Sequence, residues 1–261
     1  MSVKTVLVTG AAHRLGACIA TLFAQSGWQV LCHYDQSQAA AQALAEGLRA
    51  QGHAAHALYG RLADEAGCQA LMAQVRAHTG QLHALVNNAS TFWPDTGLDF
   101  QAGAAAHQLQ VNLIAPLLLA SQMARDLVPP GQEGCAIHIL DQKVYNLNPD
   151  YFSYTVSKLA LERAVALQAQ SLAPRLRVCG VAPGLMYLSG PQTRDNFERA
   201  ASANLMRRPT DPQDVARSCL FLATTASITG TVISVDNGQH LVPLPRDIMF
   251  VVDDLLKGIQ P

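Results

Sequence analysis

The sequence predicts an α/β fold, a single doubly wound parallel sheet of about seven strands with helices on both faces. Short apolar runs alternate with longer Ala-rich segments, the pattern of strands joined by crossover helices. A glycine turn follows the first run directly. The chain is 261 residues long and 49% hydrophobic, enough to bury one large core.

Strands are expected at 5–9, 29–33, 54–59, 84–87, 136–140, 177–181 and 232–235, and helices at 15–26, 38–50, 65–79, 104–125, 151–172 and 212–223. No linker, internal repeat or low-complexity tract divides the chain, so residues 1–261 read as one domain. The stretch 184–208 breaks the alternation with mixed polar residues, as lids over sites do. The stretch 243–261 follows the last strand and carries Ile248-Met249-Phe250-Val251-Val252. It is read as a strand or helix tucked onto the body, or as a segment packed on a neighbouring subunit.

A net charge of −1 gives no support for nucleic acid or an anionic membrane as partner. Only 14% of residues are charged, which favours an oligomer. Six scattered cysteines without a C-x-x-C pair read as free thiols in a reducing compartment, and no metal site is expected. No apolar run approaches a membrane span and no long apolar leader is present, so a cytoplasmic location is expected.

The segment Val8-Thr9-Gly10 to Arg14-Leu15-Gly16 reads as strand, turn and helix start. Gly10 permits the tight turn, Gly16 lets helix approach sheet, and the helix N-terminus offers N–H groups to a pyrophosphate. Arg14 stands where a third glycine often sits and can pair with a ribose 2′-phosphate, or simply be exposed. The second strand leads into His33-Tyr34-Asp35-Gln36-Ser37. Asp35 there argues for NAD, whereas Arg14 with Ser37 argues for NADP. The balance taken here is NADP(H) over NAD(H).

Tyr154 and Lys158 stand four residues apart in a helical segment, so their heads can converge. A nearby ammonium lowers a phenol pKa, which favours proton release. Asp141 lies thirteen residues before Tyr154.

With these pieces the chain resembles the short-chain dehydrogenase/reductase family over residues 3 to 242, and within it the pteridine reductase branch. The family's glycine motif matches Thr9-Gly10 through Arg14-Leu15-Gly16, with His13 inside it. Its N-N-A-G matches Asn87-Asn88-Ala89-Ser90, its helix asparagine Asn112, its catalytic pair Tyr154 and Lys158, its P-G Pro183-Gly184, and its near-terminal acidic turn Asp236-Asn237-Gly238. Asp141 in place of the usual Ser, the run through Phe92, Arg14, and His33-Tyr34 ahead of Ser37 are similar to the pteridine reductase branch. Two departures stand out: Arg61 replaces the usual adenine-contacting Asp, and Asp35 and Gln36 replace basic phosphate-binding residues.

The resemblance implies a Rossmann-type sheet, a homotetramer, and a nicotinamide beside Tyr154. Gly10, His13, Arg14, Leu15, Gly16, His33, Tyr34, Ser37, Asn88, Ala89, Ser90, Tyr154, Lys158, Pro183 and Gly184 would hold the cofactor. Ser90, Phe92, Asp141, Tyr154 and Tyr187 would face substrate, with Phe92 as a stacking platform and Trp93 on the rim. Lys158 would bind ribose hydroxyls and tune Tyr154, and Asn112 would bridge Lys158 to solvent through water. An ionised Asp141 accepts hydrogen bonds and does not donate, and it keeps Tyr154 protonated. That suits proton delivery to a ring nitrogen, and suits ketone polarisation poorly. The expected activity is therefore NAD(P)H-dependent reduction of a pterin C=N bond, as in a dihydropterin or dihydrofolate. Two alternatives remain: a short-chain enzyme for another carbonyl or alcohol, against which Asp141 and Phe92 count, and a non-catalytic nucleotide-binding regulator, against which Tyr154, Lys158 and Asn112 count. His138, inside a strand, is read as buried and hydrogen-bonded.

Overall fold

The computed structural model describes residues 3–188 and 192–252. Seven strands form one all-parallel sheet: β1 (Thr5–Val8), β2 (Gln29–Tyr34), β3 (Ala55–Tyr59), β4 (Ala84–Asn87), β5 (Gly134–Ile139), β6 (Leu176–Pro183) and β7 (Val232–Val235). Their order is β3-β2-β1-β4-β5-β6-β7. The chain therefore reverses its winding between β1 and β4, which opens a crevice at the strands' C-terminal ends.

Side chains on a strand alternate between faces, and here both faces are covered. Val6 and Val8 join a core beneath α1 (Arg14–Gln25), α2 (Gln38–Ala50) and α8 (Pro212–Thr224). Leu7 points the other way, into a second core with α3 (Glu65–His78), α5 (Ala115–Asp126) and α6 (Phe152–Leu172). Phe23 and Ile19 anchor the first core, and Leu119 and Met123 the second; all four are fully buried. Burying such side chains contributes roughly 1.5–3 kcal/mol each.

The helix expected over 104–125 is not one rod. It divides into α4 (Ala102–Leu109), a π-turn at Gln110–Ile114, and α5. The amide of Ala115 reaches back to the Gln110 carbonyl, five residues away, and Pro116 follows at the start of α5. Proline has no N–H, so it cannot bond to the Asn112 carbonyl as an α-helix would require. The wide turn accommodates that break and places Asn112 at full burial.

Within the excursion 184–208 lies α7 (Arg194–Ser202), while residues 189–191 fall outside the described residues. Of the last segment, 243–252 is described and 253–261 is not. Leu244, Ile248 and Val252 are buried against Ala200 and Ala203 of this excursion. Tucking onto the body is thus the observed outcome for the described part. Among the described residues no helix is long and apolar enough to cross a membrane, and no cluster of side chains could hold a metal ion.

Candidate active site

The crevice is a cleft of about 1010 Å³, running from the Gly10 turn past β4 and β5 to the C-terminal segment. Every expected cofactor and substrate residue lines it, and Asn112 alone of the expected set lies behind its wall.

The nucleotide end is built by close backbone approach. Gly10 adopts φ +63, and a Cβ there would stand 3.0 Å from Cα of Ala89. A Cβ on Gly16 would meet the Gly10 carbonyl at 2.1 Å, so only glycine fits. Arg14 has φ 49, a left-handed conformation that favours glycine. This accounts for the glycine commonly found at the position. No side chain caps α1, whose first N–H groups face the cleft ready for an anion. The exposed Arg14 guanidinium lies 5.9 Å from the Tyr187 ring, and Asp35 is exposed on the same cleft.

Two expected cofactor residues turn out to brace the turn. The Gly10 amide donates to His33 Nδ1 at 3.0 Å, and His33 Nε2 bonds the Gly60 carbonyl at 2.9 Å. Both ring nitrogens are therefore engaged inside the protein, the imidazole is neutral with its proton on Nε2, and burial holds its pKa below the usual range. Asn88 donates to the carbonyls of Thr9 and Gly10, while Thr9 Oγ1 accepts from the amides of Asn88 and Ala89. Arg61 is exposed and pairs with Asp64 at 3.8 Å.

At the catalytic end, the Tyr154 hydroxyl donates to Asp141 Oδ2 at 2.8 Å, and Asp141 Oδ1 accepts the Lys143 amide at 2.9 Å. Asp141 thus caps a short turn and also holds the phenol. Burial sets its pKa above the usual carboxylate range, and its hydrogen bonds and the nearby lysines offset that only in part. Burial and the Asp141 charge push the Tyr154 phenol well above its ordinary value. The expected lowering of that pKa by Lys158 is not met. The Lys158 ammonium lies 5.6 Å from the Tyr154 ring centroid and donates to the Ile139 carbonyl at 2.8 Å. Desolvation lowers its own pKa to about 8.

The Asn112 side chain makes no direct hydrogen bond to Lys158. Its Oδ1 accepts from Ser90 Oγ at 3.0 Å and the Thr91 amide at 2.8 Å, and its Nδ2 donates to the Thr91 carbonyl and Ser157 Oγ. It fastens the β4 loop to α6. Phe92 on that loop is stacked on Tyr151 with centroids 3.9 Å apart, and meets Tyr154 edge-on at 4.7 Å. Trp93 stacks on His107 at the rim. His138 is buried as expected between Asn87 and Gln168, with its pKa lowered by burial to about 4.

Among the cleft residues that sequence reasoning missed are Lys143, Asn148, Asp247 and Met249. Lys143 Nζ donates to Asn148 Oδ1 at 2.7 Å and to Asp247 Oδ2 at 3.0 Å. The Tyr151 hydroxyl bonds Met249 Sδ at 3.3 Å, and Arg246 pairs with Asp150. The final segment is therefore a wall of the site. Only the adjacency of Lys143 to Asp141 in sequence could have pointed here.

A family model described as Enoyl-(Acyl carrier protein) reductase matches residues 10–240. Pteridine reductase 1 of Leishmania tarentolae is 31% identical, the alignment covering 90% of this chain and 96% of that protein. Dihydromonapterin reductase of Citrobacter koseri is 26% identical over 90% of this chain and 96% of its own. The crystal structure of FolM Alternative dihydrofolate reductase 1 from Brucella canis complexed with NADP superimposes with a TM-score of 0.88 at 36% identity, covering 92% of this chain and 94% of that one. Glycine turn, buried Tyr154–Lys158 pair and these matches agree: the chain belongs to the short-chain dehydrogenase/reductase family, in its pteridine reductase-like branch.

Proposed function

We propose that this protein is an NADPH-dependent reductase of a dihydropterin or dihydrofolate C=N bond. The observation that carries the reading is the hydrogen bond from Tyr154 to Asp141 on the cleft wall. A carboxylate there holds the phenol in its protonated form, ready to give a proton to a ring nitrogen. A ketone would instead gain from a donor hydroxyl at position 141, which a carboxylate is not.

The uncapped start of α1 and the close-packed Gly10 and Gly16 suit a pyrophosphate, and Arg14 suits a 2′-phosphate. NADP in the Brucella canis structure supports the same preference. When bound, NADPH supplies the hydride. Lys158 would hold ribose hydroxyls, and Ser90 and Phe92 would align the flat ring above it. Tyr154 turns its O–H from Asp141 to the substrate nitrogen and donates, while Asp141 keeps the site from polarising a carbonyl. The stretch 184–208 would close over the cleft through Tyr187. A homotetramer is proposed on the exposed apolar Ile114, Phe152, Val156 and Leu167, which a second copy would cover; sedimentation showing only monomer at micromolar concentration would refute it.

The activity is tested by following NADPH oxidation with dihydrobiopterin, dihydrofolate and a panel of ketones. Turnover of the pterins supports the reading. Turnover of ketones alone overturns it in favour of a carbonyl reductase, and no turnover at all in favour of a nucleotide-binding regulator.

A further inference from the structure

Lys143 and Asp247 form an ion pair whose side chains are 4% and 16% exposed, and both line the cleft. Such a pair is weak evidence for stability, because desolvation offsets its attraction. Nor is it needed to anchor the last segment. Arg246 already grips Asp150, the Asp247 amide donates to Asp150 at 2.7 Å, and Asn196 Nδ2 bonds the Met249 carbonyl at 2.9 Å. The pair also sits close to the chemistry. Lys143 Nζ lies 5.7 Å from the centroid of Tyr151, the ring on which Phe92 stacks.

Its hydrogen-bonding capacity is not exhausted. An ammonium has three N–H donors, and Asn148 and Asp247 take two. The Asp247 carboxylate accepts from Lys143 and, at 3.2 Å, from the Met249 amide, which leaves lone pairs on both oxygens. A donor and an acceptor thus stand side by side, 3.0 Å apart, at the substrate end. With Arg246 and Asp150 adjacent, charges of the two signs are equal in number. A neutral chain carrying hydroxyls finds both partners here, since each hydroxyl donates and accepts. An anionic substituent would meet the Asp247 carboxylate.

We propose that Lys143 and Asp247 are specificity-determining residues, reading hydroxyl groups on a short neutral substituent of the reduced ring. This rests on the pterin reading above. It assigns the enzyme to dihydropterins with a polyol side chain, over the aminobenzoyl-glutamate of dihydrofolate.

The test compares kcat/KM for three dihydropterins differing only in the ring substituent: dihydroxypropyl, methyl, and aminobenzoyl-glutamate. The wild type should prefer the hydroxylated compound over the methyl one by at least about tenfold, chiefly in KM, as buried polar groups left unpaired reject the shorter analogue. The double variant Lys143→Met with Asp247→Leu removes both charges without stranding either. It should lose most of that preference, and Lys143→Arg, which keeps a donor, should restore more of it than Lys143→Met in the same wild-type background. Equal kcat/KM for hydroxylated and methyl substrates, a preference for the glutamate compound, or an unchanged ratio in the double variant would each overturn the assignment while leaving pterin reduction intact. Turnover of none of the three would overturn pterin reduction itself, and the subsite with it.

Discussion

The Tyr154 hydroxyl and the Asp141 carboxylate share one hydrogen bond, 2.8 Å long, on the wall of the cleft. The phenol O–H stabilises the carboxylate, whereas burial and the Asp141 charge raise the energy of a phenolate, so Tyr154 retains its proton at neutral pH. Tyr154→Phe should lower kcat by at least about 10²-fold while NADPH affinity survives, since the ring remains. Asp141→Ser should lose pterin turnover and gain weak ketone turnover. Equal pterin rates for wild type and Asp141→Ser would make Asp141 a turn-capping residue only.

A second prediction concerns Lys158, whose pKa falls from 10.5 to about 8 in the folded protein. Below pH 8 both folded and unfolded chains carry the proton, and the buried charge opposes folding in full. Between about 8 and 10.5 the unfolded chain binds more protons, so this group makes stability rise with pH. Denaturant midpoints measured from pH 7 to 10 should show the wild type gaining on Lys158→Met as pH climbs. Parallel curves would mean that Lys158 is not desolvated.

Asn112→Ala should strand the Thr91 amide and carbonyl, at a cost of about 1–3 kcal/mol. It should also raise KM, because the β4 loop carrying Phe92 loses its fastening. A variant with unaltered unfolding midpoint and KM would contradict the bracing role.

Arg14→Ala should weaken NADPH binding by about tenfold and NADH binding far less, as the guanidinium can form charge-assisted bonds only to the additional phosphate. Titration of both dinucleotides decides it; tighter NADH binding by the wild type would mean that exposed Asp35 dominates.

The parts legible in sequence are those written locally. The glycine turn, the Tyr154–Lys158 spacing and the seven strands need only neighbours within a few residues, and the strand ends shift by at most a few positions. The rest depends on distant partners. His33 lines the cleft, and no local signal in the sequence shows that Gly60, just past the end of the next strand, takes its second nitrogen. Lys143 and Asp247 are 104 residues apart, and no periodicity couples them. The break before α5 did carry a local mark in Pro116, a residue common at a helix's first turn, but the Ala-rich periodicity on both sides conceals a one-residue step.

That step changes the geometry around it. One extra residue in a turn is an angular phase slip of about 100° between the helical stretches on either side. The apolar stripe of α5 can therefore face β4 and β5 while α4 keeps a separate heading toward Trp93 and α6. Deleting any one residue of 110–114 would bring the two stretches back into phase, and no single orientation would then satisfy both. A change in the length of this helix should therefore cost more than a conservative substitution on its exposed side.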